Sequence, residues 1–243
     1  MKDRLLDLLA CPTCGGDILL AYASKYDGKE IIEGVLTCKK CDREYKILRG
    51  VPRFVDLGKI EEDKAATAEN FGWQWTNFTQ EDPKYNEQFL GWLQPVKREF
   101  FAGKVVLEGG CGKGRHTKLA AEWGAADVVG IDLGDGVESA FALTRGLPNA
   151  HIVQCDIFKL PLKKVFDYAF SVGVLHHTPD PKGAFVSLAG KVKKAAISRR
   201  GFTVPRITNG SRTTSIPCEP ASHPRSASRC FTNYPSSRRS AFF

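Results

Sequence analysis

A glycine-rich segment near the middle of the chain carries the most chemical information. The apolar run 105–107 leads into Glu108, and three glycines then stand at alternate positions: Gly110, Gly112 and Gly114. Glycine lets a backbone adopt left-handed conformations and approach a ligand closely. The pattern next predicts a helix over 116–123, whose N-terminus would face the same ligand. A buried strand, a glycine loop and a helix in this order predict a binding site built largely from backbone.

The spacing of the glycines separates two classes of ligand. A dinucleotide-binding fingerprint needs glycines in the pattern G-x-G-x-x-G. Gly110 and Gly112 fit that pattern, but Arg115 occupies its last position, which disfavours a nicotinamide-dependent oxidoreductase. A tight turn without any ligand is a further alternative. We favour it less, because glycine destabilises a helix start unless the backbone must come close to something.

Two acids follow the next predicted strands. Asp132 ends the apolar run 128–131, and Asp156 ends the run 151–155. An acid at the end of the second strand can accept hydrogen bonds from both ribose hydroxyls of a nucleoside. Asp132 could instead cap a helix that begins near Asp135, which is a common structural role. The position of Asp132 after a buried strand favours the ribose role, whereas Asp156 could equally be a turn residue.

Together these motifs resemble the class I S-adenosylmethionine-dependent methyltransferases. The resemblance depends on three features: the spacing acidic-x-G-x-G-x-G, the acids after the second and third strands, and the run 173–181 after a fourth strand. The resemblance covers about residues 70–194. It implies a Rossmann-like doubly wound α/β sheet that binds S-adenosylmethionine and transfers its methyl group, with a small molecule as the acceptor we expect.

The resemblance also implies roles for particular residues. Glu108 and the three glycines of the loop would contact the methionine part of S-adenosylmethionine, and Asp132 would contact the ribose. Asp156 would contact the adenine amino group, and Ile157 would pack on the adenine ring. His176 or His177 could act as a base near the acceptor, although either histidine could simply complete a turn.

A second chemical motif lies near the amino terminus. Two C-x-x-C pairs are separated by twenty-three residues, and their members are Cys11, Cys14, Cys38 and Cys41. Each pair can supply two thiolates to one tetrahedral zinc ion, and two pairs joined by a hairpin are typical of a zinc ribbon. The hairpin would turn near Gly28. A pair of disulfides or two redox dithiols are the alternatives, but no signal peptide is evident, and a reducing cytosol disfavours disulfides.

The flanks of the cysteine pairs, 5–10 and 45–54, resemble a small zinc-ribbon family that includes activator subunits of methyltransferases. This resemblance implies a structural zinc ion, since four cysteines leave no open position for a water. It also implies a possible protein partner. A noncatalytic adaptor, in which the ribbon binds a separate methyltransferase, is therefore the alternative function.

The net charge of +8 would suggest nucleic acid, but it is not evenly distributed. Residues 195–243 contain eight arginines and one acid, whereas residues 1–194 contain 27 basic and 26 acidic side chains. The part expected to fold is thus nearly neutral and does not support nucleic-acid binding. No apolar run is long enough to span a membrane.

The predicted organisation has four parts: a zinc ribbon over 1–54, a linker with N-terminal helices over 55–103, the methyltransferase core over 104–194, and a disordered tail over 195–243. Within the second part we expect an exposed helix over 61–69, an aromatic segment over 71–78 that packs on the core or forms a lid, and an amphipathic helix over 85–101.

The tail interrupts the resemblance abruptly. A fifth apolar strand should follow the helix that ends near Lys194, and residues 195–205 do not supply it. The coding DNA can be read in a shifted frame that starts at the third base of the Arg200 codon. Among the codons that the genetic code permits for residues up to Val204, this shifted frame can encode Trp-Val-Tyr-Gly, a sequence that suits such a strand. We therefore expect an incomplete sheet of about four strands, a frameshifted tail, and a chain that is poorly stable and inactive. Resequencing the coding DNA tests the frameshift.

Overall fold

The computed structural model describes residues 1–55 and 84–193, together with the backbone of 202–203. The predicted linker helix over 61–69, the aromatic segment over 71–78 and nearly all of the tail lie outside the described residues. Within the described part, no helix combines the length and the apolar character needed to cross a membrane.

The amino-terminal unit is a four-stranded antiparallel meander in the order β1-β2-β3-β4. The strands are β1 (Ile18–Asp27), β2 (Glu30–Cys38), β3 (Glu44–Leu48) and β4 (Val51–Pro52). The β1–β2 turn contains Gly28, whose φ of 60° suits glycine. The predicted position of the hairpin turn is therefore confirmed.

The second unit is a parallel sheet with helices packed against it. Its strands are β5 (Val105–Gly109), β6 (Asp127–Asp132), β7 (Ala150–Gln154), β8 (Tyr168–Phe170) and β9 (Phe202–Thr203). The spatial order is β7-β6-β5-β8-β9, and every pair is parallel. The helices are α1 (Lys84–Leu93), α2 (Arg115–Glu122), α3 (Gly136–Thr144) and α4 (Pro181–Ala189). This order confirms the predicted Rossmann-like fold, and its topological switch lies between β5 and β8.

The edge beyond β8 differs from the prediction. We expected no strand after Lys194, yet the backbone of β9 pairs with β8 through Ala169–Phe202 and Phe170–Thr203. The predicted sheet of about four strands is confirmed, but the expected absence of any strand after Lys194 is corrected, since two residues are enough to form a short parallel ladder with β8. Four strands of three residues or more therefore carry the sheet, and a two-residue strand borders β8.

The predicted long helix over 85–101 is also corrected. The structure forms α1, which ends at Leu93, and a separate 3₁₀ helix at Arg98–Phe101. Pro95 explains the break, because the residue before proline is disfavoured in a helix and proline lacks the backbone donor. The apolar face of that helix was predicted from five residues. Three of them are buried and two are partly buried: Phe89, Leu93 and Val96, and Trp92 and Phe100.

The two units share one hydrophobic core. Leu9 of the ribbon forms an isolated bridge with Leu162, and Arg53 forms a parallel bridge with Gln154 at the end of β7. One cluster of buried side chains contains Leu9 and Ile47 of the ribbon as well as Leu162 of the parallel sheet unit. The chain that leaves β4 therefore extends the edge of the parallel sheet.

Candidate functional site

The glycine loop joins β5 to α2 in a conformation that depends on glycine. The φ angles of Gly110, Gly112 and Gly114 are 75°, 52° and 82°. A β-carbon at Gly110 would lie 2.4 Å from a methyl group of Val174. The loop that follows β8 therefore lies directly against the glycine loop, and both occupy the carboxyl edge of the sheet, where ligands of such folds bind.

Glu108 is held inside the protein by the helix that follows the loop. Its side chain is buried, with Oε1 3.1 Å from His116 Nδ1, and Oε2 accepts a hydrogen bond of 2.5 Å from Thr117 Oγ1. Both partners belong to the first turn of α2. Glu108 therefore ties β5 to the start of α2 and fixes the glycine loop between them.

Asp132 closes the second side of the site. Its Oδ2 accepts a hydrogen bond of 2.8 Å from Gly112 N, and its Oδ1 accepts one of 3.0 Å from Gly134 N. Desolvation raises the pKa of Asp132, although these backbone N–H groups oppose the rise. The carboxylate does not cap α3, whose N-cap is Asp135. Each oxygen retains a lone pair for a further donor.

Asp156 and Ile157 follow β7 at the same edge of the sheet. Asp156 Oδ1 accepts a hydrogen bond of 2.9 Å from Phe158 N, so the carboxylate stabilises a turn. Ile157 is partly buried, and its δ-methyl group would lie 3.4 Å from a β-carbon at Gly109. This geometry brings the third-strand segment next to the glycine loop.

His176 and His177 lie on the 3₁₀ helix Leu175–His177, close after Val174. Their ring centroids are 3.9 Å apart, and both side chains are exposed. Partial desolvation lowers the pKa of both histidines, and the charge of His177 lowers the pKa of His176 further. Both rings would therefore be mainly neutral near pH 7, which is the form a base requires.

Three residues at this edge were missed by sequence reasoning. Ser171, after β8, is buried and donates a hydrogen bond of 2.7 Å to Gly109 O. Gln154 lies at the end of β7. It accepts a hydrogen bond of 2.9 Å from Arg53 Nη1 and donates one of 3.0 Å to Leu133 O. A polar residue at the end of an apolar strand was the available indication for Ser171 and Gln154. Nothing local marks Arg53.

The four cysteines of the two C-x-x-C pairs meet at one point. Their Sγ atoms all lie within 4.8 Å of one another. The distance is 3.7 Å between Cys11 and Cys41 and 3.4 Å between Cys14 and Cys38. A tetrahedral ion with zinc–sulfur bonds of ~2.3 Å places its sulfurs about 3.8 Å apart. The donor set and its spacing therefore fit a zinc ion. It is the one such cluster within the described residues.

Tyr45 connects this cluster to the rest of the fold. Its Oη lies 3.2 Å from Cys11 Sγ, and its ring centroid is 4.5 Å from that of Phe54. Burial raises the pKa of the Cys11 thiol, but hydrogen bonds from Tyr45 and from the backbone lower it more, to about 6. A low pKa favours the thiolate, which is the form that binds a metal.

Each unit matches a model of a known protein family. Residues 107–197 match the model described as a methyltransferase domain, and residues 2–50 match the model of Trm112p-like proteins. A tRNA U34 carboxymethyltransferase of Pseudoalteromonas translucida is 32% identical over 110 residues, which are 44% of this chain and 33% of the relative. The protein of that name from Ruthia magnifica is 37% identical over 92 residues, or 36% and 27% of the two chains. The chain thus spans about a third or less of these relatives.

Solved structures give distant matches. One is the complex of the Haloferax volcanii Trm112 methyltransferase activator with a methyltransferase, with a TM-score of 0.42, 20% identity, and coverage of 55% of this chain and 57% of that one. Another is the N-methyltransferase NodS of Bradyrhizobium japonicum with S-adenosylhomocysteine, with a TM-score of 0.45, 18% identity, and coverage of 52% and 68%.

Proposed function

We propose that this chain, which joins a Trm112p-like region to a class I methyltransferase domain, binds S-adenosylmethionine and transfers its methyl group to an acceptor. The carrying observation is the hydrogen bond of 2.8 Å between Gly112 N and Asp132 Oδ2. It joins the loop after β5 to the acid after β6, so that backbone and carboxylate face the same space. A nucleoside with a charged amino-acid tail needs this combination.

The residues of the edge divide the binding task. Gly110, Gly112 and Gly114 would hold the methionine part by close backbone approach, and Glu108 would act by fixing the loop rather than through its buried carboxylate. Asp132 would accept the ribose hydroxyls. Asp156 and Ile157 would flank the adenine, with the Asp156 carboxylate as the acceptor for the adenine amino group.

The bound donor would supply an activated methyl group on a sulfonium. The chain's own contribution is then mainly alignment, which can lower a barrier by several kcal/mol. Val174 lies against Gly110, so the segment that carries His176 and His177 borders the loop. We propose that one of these neutral rings accepts a proton from the acceptor where the acceptor has one to lose.

A tRNA is the acceptor that we propose. The relatives are named for tRNA modification, which argues against the small molecule expected from the sequence. The described surface offers some support, because Lys159 and Lys164 are exposed on the loop between β7 and β8. Lys163 on the same loop pairs with Asp17 of the ribbon at 3.1 Å, so this basic segment borders both units. Phosphate binding needs such cations.

We propose that the ribbon holds a structural zinc ion in a reducing cytosol, and that it acts on the methyltransferase domain of its own chain. Val51 is fully buried beside Phe141 of α3, and Leu9 is fully buried beside Leu162. This apolar part of the ribbon is thus covered by the second unit of the same chain. This favours the enzyme over the adaptor alternative.

Tritium transfer from labelled S-adenosylmethionine tests this function. The full chain should label bulk tRNA that lacks modification, and Asp132→Ala should abolish most of that label. Label that appears only on added small molecules would reject the tRNA acceptor. Absence of label together with absence of S-adenosylhomocysteine binding would reject the proposed enzyme, and would agree with the expectation of an inactive chain.

A further inference from the structure

Gln154 connects the ribbon to the loop of the proposed ribose carboxylate. It is buried at the end of β7, between Arg53 of the ribbon and the segment 132–134. The main chain makes the same connection, because Phe54 N donates to Gln154 O at 2.8 Å and Cys155 N donates to Asp132 O at 2.9 Å. A side chain with partners in both units can transmit the position of one unit to the other.

The chemistry of the partners fixes the orientation of the Gln154 amide. A guanidinium can only donate hydrogen bonds, so Arg53 Nη1 must face the amide oxygen, at 2.9 Å. The amide nitrogen then faces the other way and donates to Leu133 O at 3.0 Å, with Gly134 O at 3.4 Å. The flipped amide would set its NH2 group against the guanidinium and its oxygen against two carbonyls, so Arg53 and the segment 133–134 select the same orientation from opposite sides.

Arg53 is itself held firmly. Its Nη2 donates to Glu138 Oε1 of α3 at 3.1 Å and to Leu48 O at 3.2 Å, and its side chain is only 9% exposed. Arg49 also pairs with Glu138, but its side chain is 70% exposed and makes no bond to Gln154. The two arginines therefore share an ion-pair partner and differ in their link to β7.

The segment that Gln154 holds is the one that shapes Asp132. Gly134 N donates to Asp132 Oδ1 at 3.0 Å. Leu133 O, in the same peptide plane as this N–H, accepts from Gln154 at 3.0 Å, and Gly134 O in the next plane lies 3.4 Å from the same nitrogen. A shift of the Leu133 and Gly134 carbonyls would therefore rotate the N–H that orients the carboxylate. We propose that Gln154, oriented by Arg53, is a positioning residue through which the ribbon sets the Asp132 carboxylate for binding. This inference rests on the proposed function for its ligand.

Substitutions at both ends of the connection test the proposal in the full chain. Arg53→Met and Gln154→Met should each weaken binding of S-adenosylhomocysteine by about tenfold, as expected for loss of a buried hydrogen-bonded group. The double variant should be little weaker than either single one, because the two residues act through one connection. The matched control, Arg49→Met, removes an ion pair with the same Glu138 and should change affinity by less than about twofold.

Two further readouts separate positioning from general loss of structure. The ligand that lacks the ribose 2′-hydroxyl should lose much less affinity in Arg53→Met than S-adenosylhomocysteine does, since the Asp132 contact is what the connection sets. Backbone amide exchange over 132–135 should quicken in Arg53→Met and Gln154→Met and not in Arg49→Met. Zinc content should stay at the level of the unaltered chain in all three.

The inference is overturned if Arg53→Met and Arg49→Met behave alike in amide exchange over 132–135, or if the single effects on affinity simply add. The amide-exchange arm needs no ligand. If the unaltered chain fails to bind S-adenosylhomocysteine, the proposed function fails, while faster exchange in Arg53→Met and Gln154→Met still supports the connection and equal exchange still rejects it.

Discussion

His116 Nδ1 lies 3.1 Å from Glu108 Oε1, and both side chains are buried. The His116 ring also stacks on Phe89 of α1, with centroids 4.4 Å apart. The acid of the glycine motif is therefore anchored through α2 to a helix that precedes the sheet in sequence. The packing of His116 on Phe89 therefore helps to hold the Glu108 side chain in place.

Glu108→Ala should destabilise the fold. The change leaves the hydroxyl of Thr117 and the ring nitrogen of His116 without their buried acceptor, which costs about 3 kcal/mol. Urea unfolding measures the loss. Glu122→Ala on the exposed face of the same helix is the control and should stay within about 0.5 kcal/mol of the unaltered chain. Equal midpoints for the two variants would contradict the anchoring role.

Gly114→Ala should be harmful for two independent reasons. Its φ of 82° lies in the left-handed region, and the new methyl group would lie 2.9 Å from the Cα of Ala140 in α3. Backbone strain of this kind costs about 1–3 kcal/mol, and the clash adds to it. Gly146→Ala is the matched control, since a β-carbon added there would meet no atom within 4 Å and the φ of Gly146 is ordinary. Equal melting temperatures for Gly114→Ala and Gly146→Ala would contradict the close approach of the glycine loop to α3.

The cysteine cluster should bind one zinc ion per chain. Cys14→Ser should lower the bound zinc, measured by a chromogenic chelator after thiol modification, and should lower the melting temperature because the ribbon shares its core with the parallel sheet unit. Cys155→Ala is the control: this thiol is buried away from the cluster, so zinc should stay stoichiometric. Full zinc content in Cys14→Ser would exclude the four-cysteine site.

The buried pair His151–Asp127 predicts a pH dependence of stability. Nε2 lies 2.9 Å from Asp127 Oδ1, and Asp127 also accepts from Arg4 of the ribbon. Burial lowers the pKa of His151, although Asp127 opposes this shift. The unfolded chain therefore takes up the proton first, and stability should fall as the pH drops below about 6.5.

Asp127 acts in the same direction at lower pH. Burial raises the pKa of Asp127, but hydrogen bonds from His151 and Arg4 lower it more, so its stabilisation is lost as the pH falls below about 4. Melting temperatures between pH 7 and pH 5 isolate the His151 effect. His151→Gln should flatten that slope, whereas His177→Gln, at an exposed site, should change it less. If the melting temperature of His151→Gln depends on pH as steeply as that of the unaltered chain, His151 is not the source of the pH dependence.

The strands and the two chemical motifs were predictable from local sequence. The runs at 105–109 and 128–132 indicated β5 and β6, and paired cysteines at fixed spacing indicated the four-cysteine cluster. Alternating glycines permit the left-handed backbone that a close approach requires, so their loop could be predicted before any contact was known. A local signal of this kind can be detected in a single sequence.

Other features of the fold and the site depend on contacts between distant parts of the chain and could not be predicted from local sequence. Arg53 and Gln154 are separated by 101 positions, and no periodic pattern links them. The role of Glu108 as an internal anchor required the position of His116 on a formed helix. The break of the predicted helix at Leu93 was readable from Pro95, whereas the short strand at Phe202–Thr203 had no apolar pattern to indicate it.

Titration of the full chain with S-adenosylhomocysteine in a calorimeter tests the central claim most directly. The account predicts saturable binding at one site, and it predicts that Asp132→Asn weakens this binding by about 1–3 kcal/mol, the contribution of a charged hydrogen-bond acceptor. No heat of binding by the unaltered chain, or equal affinity in Asp132→Asn, would contradict the assignment of this edge of the sheet to a sulfonium nucleoside.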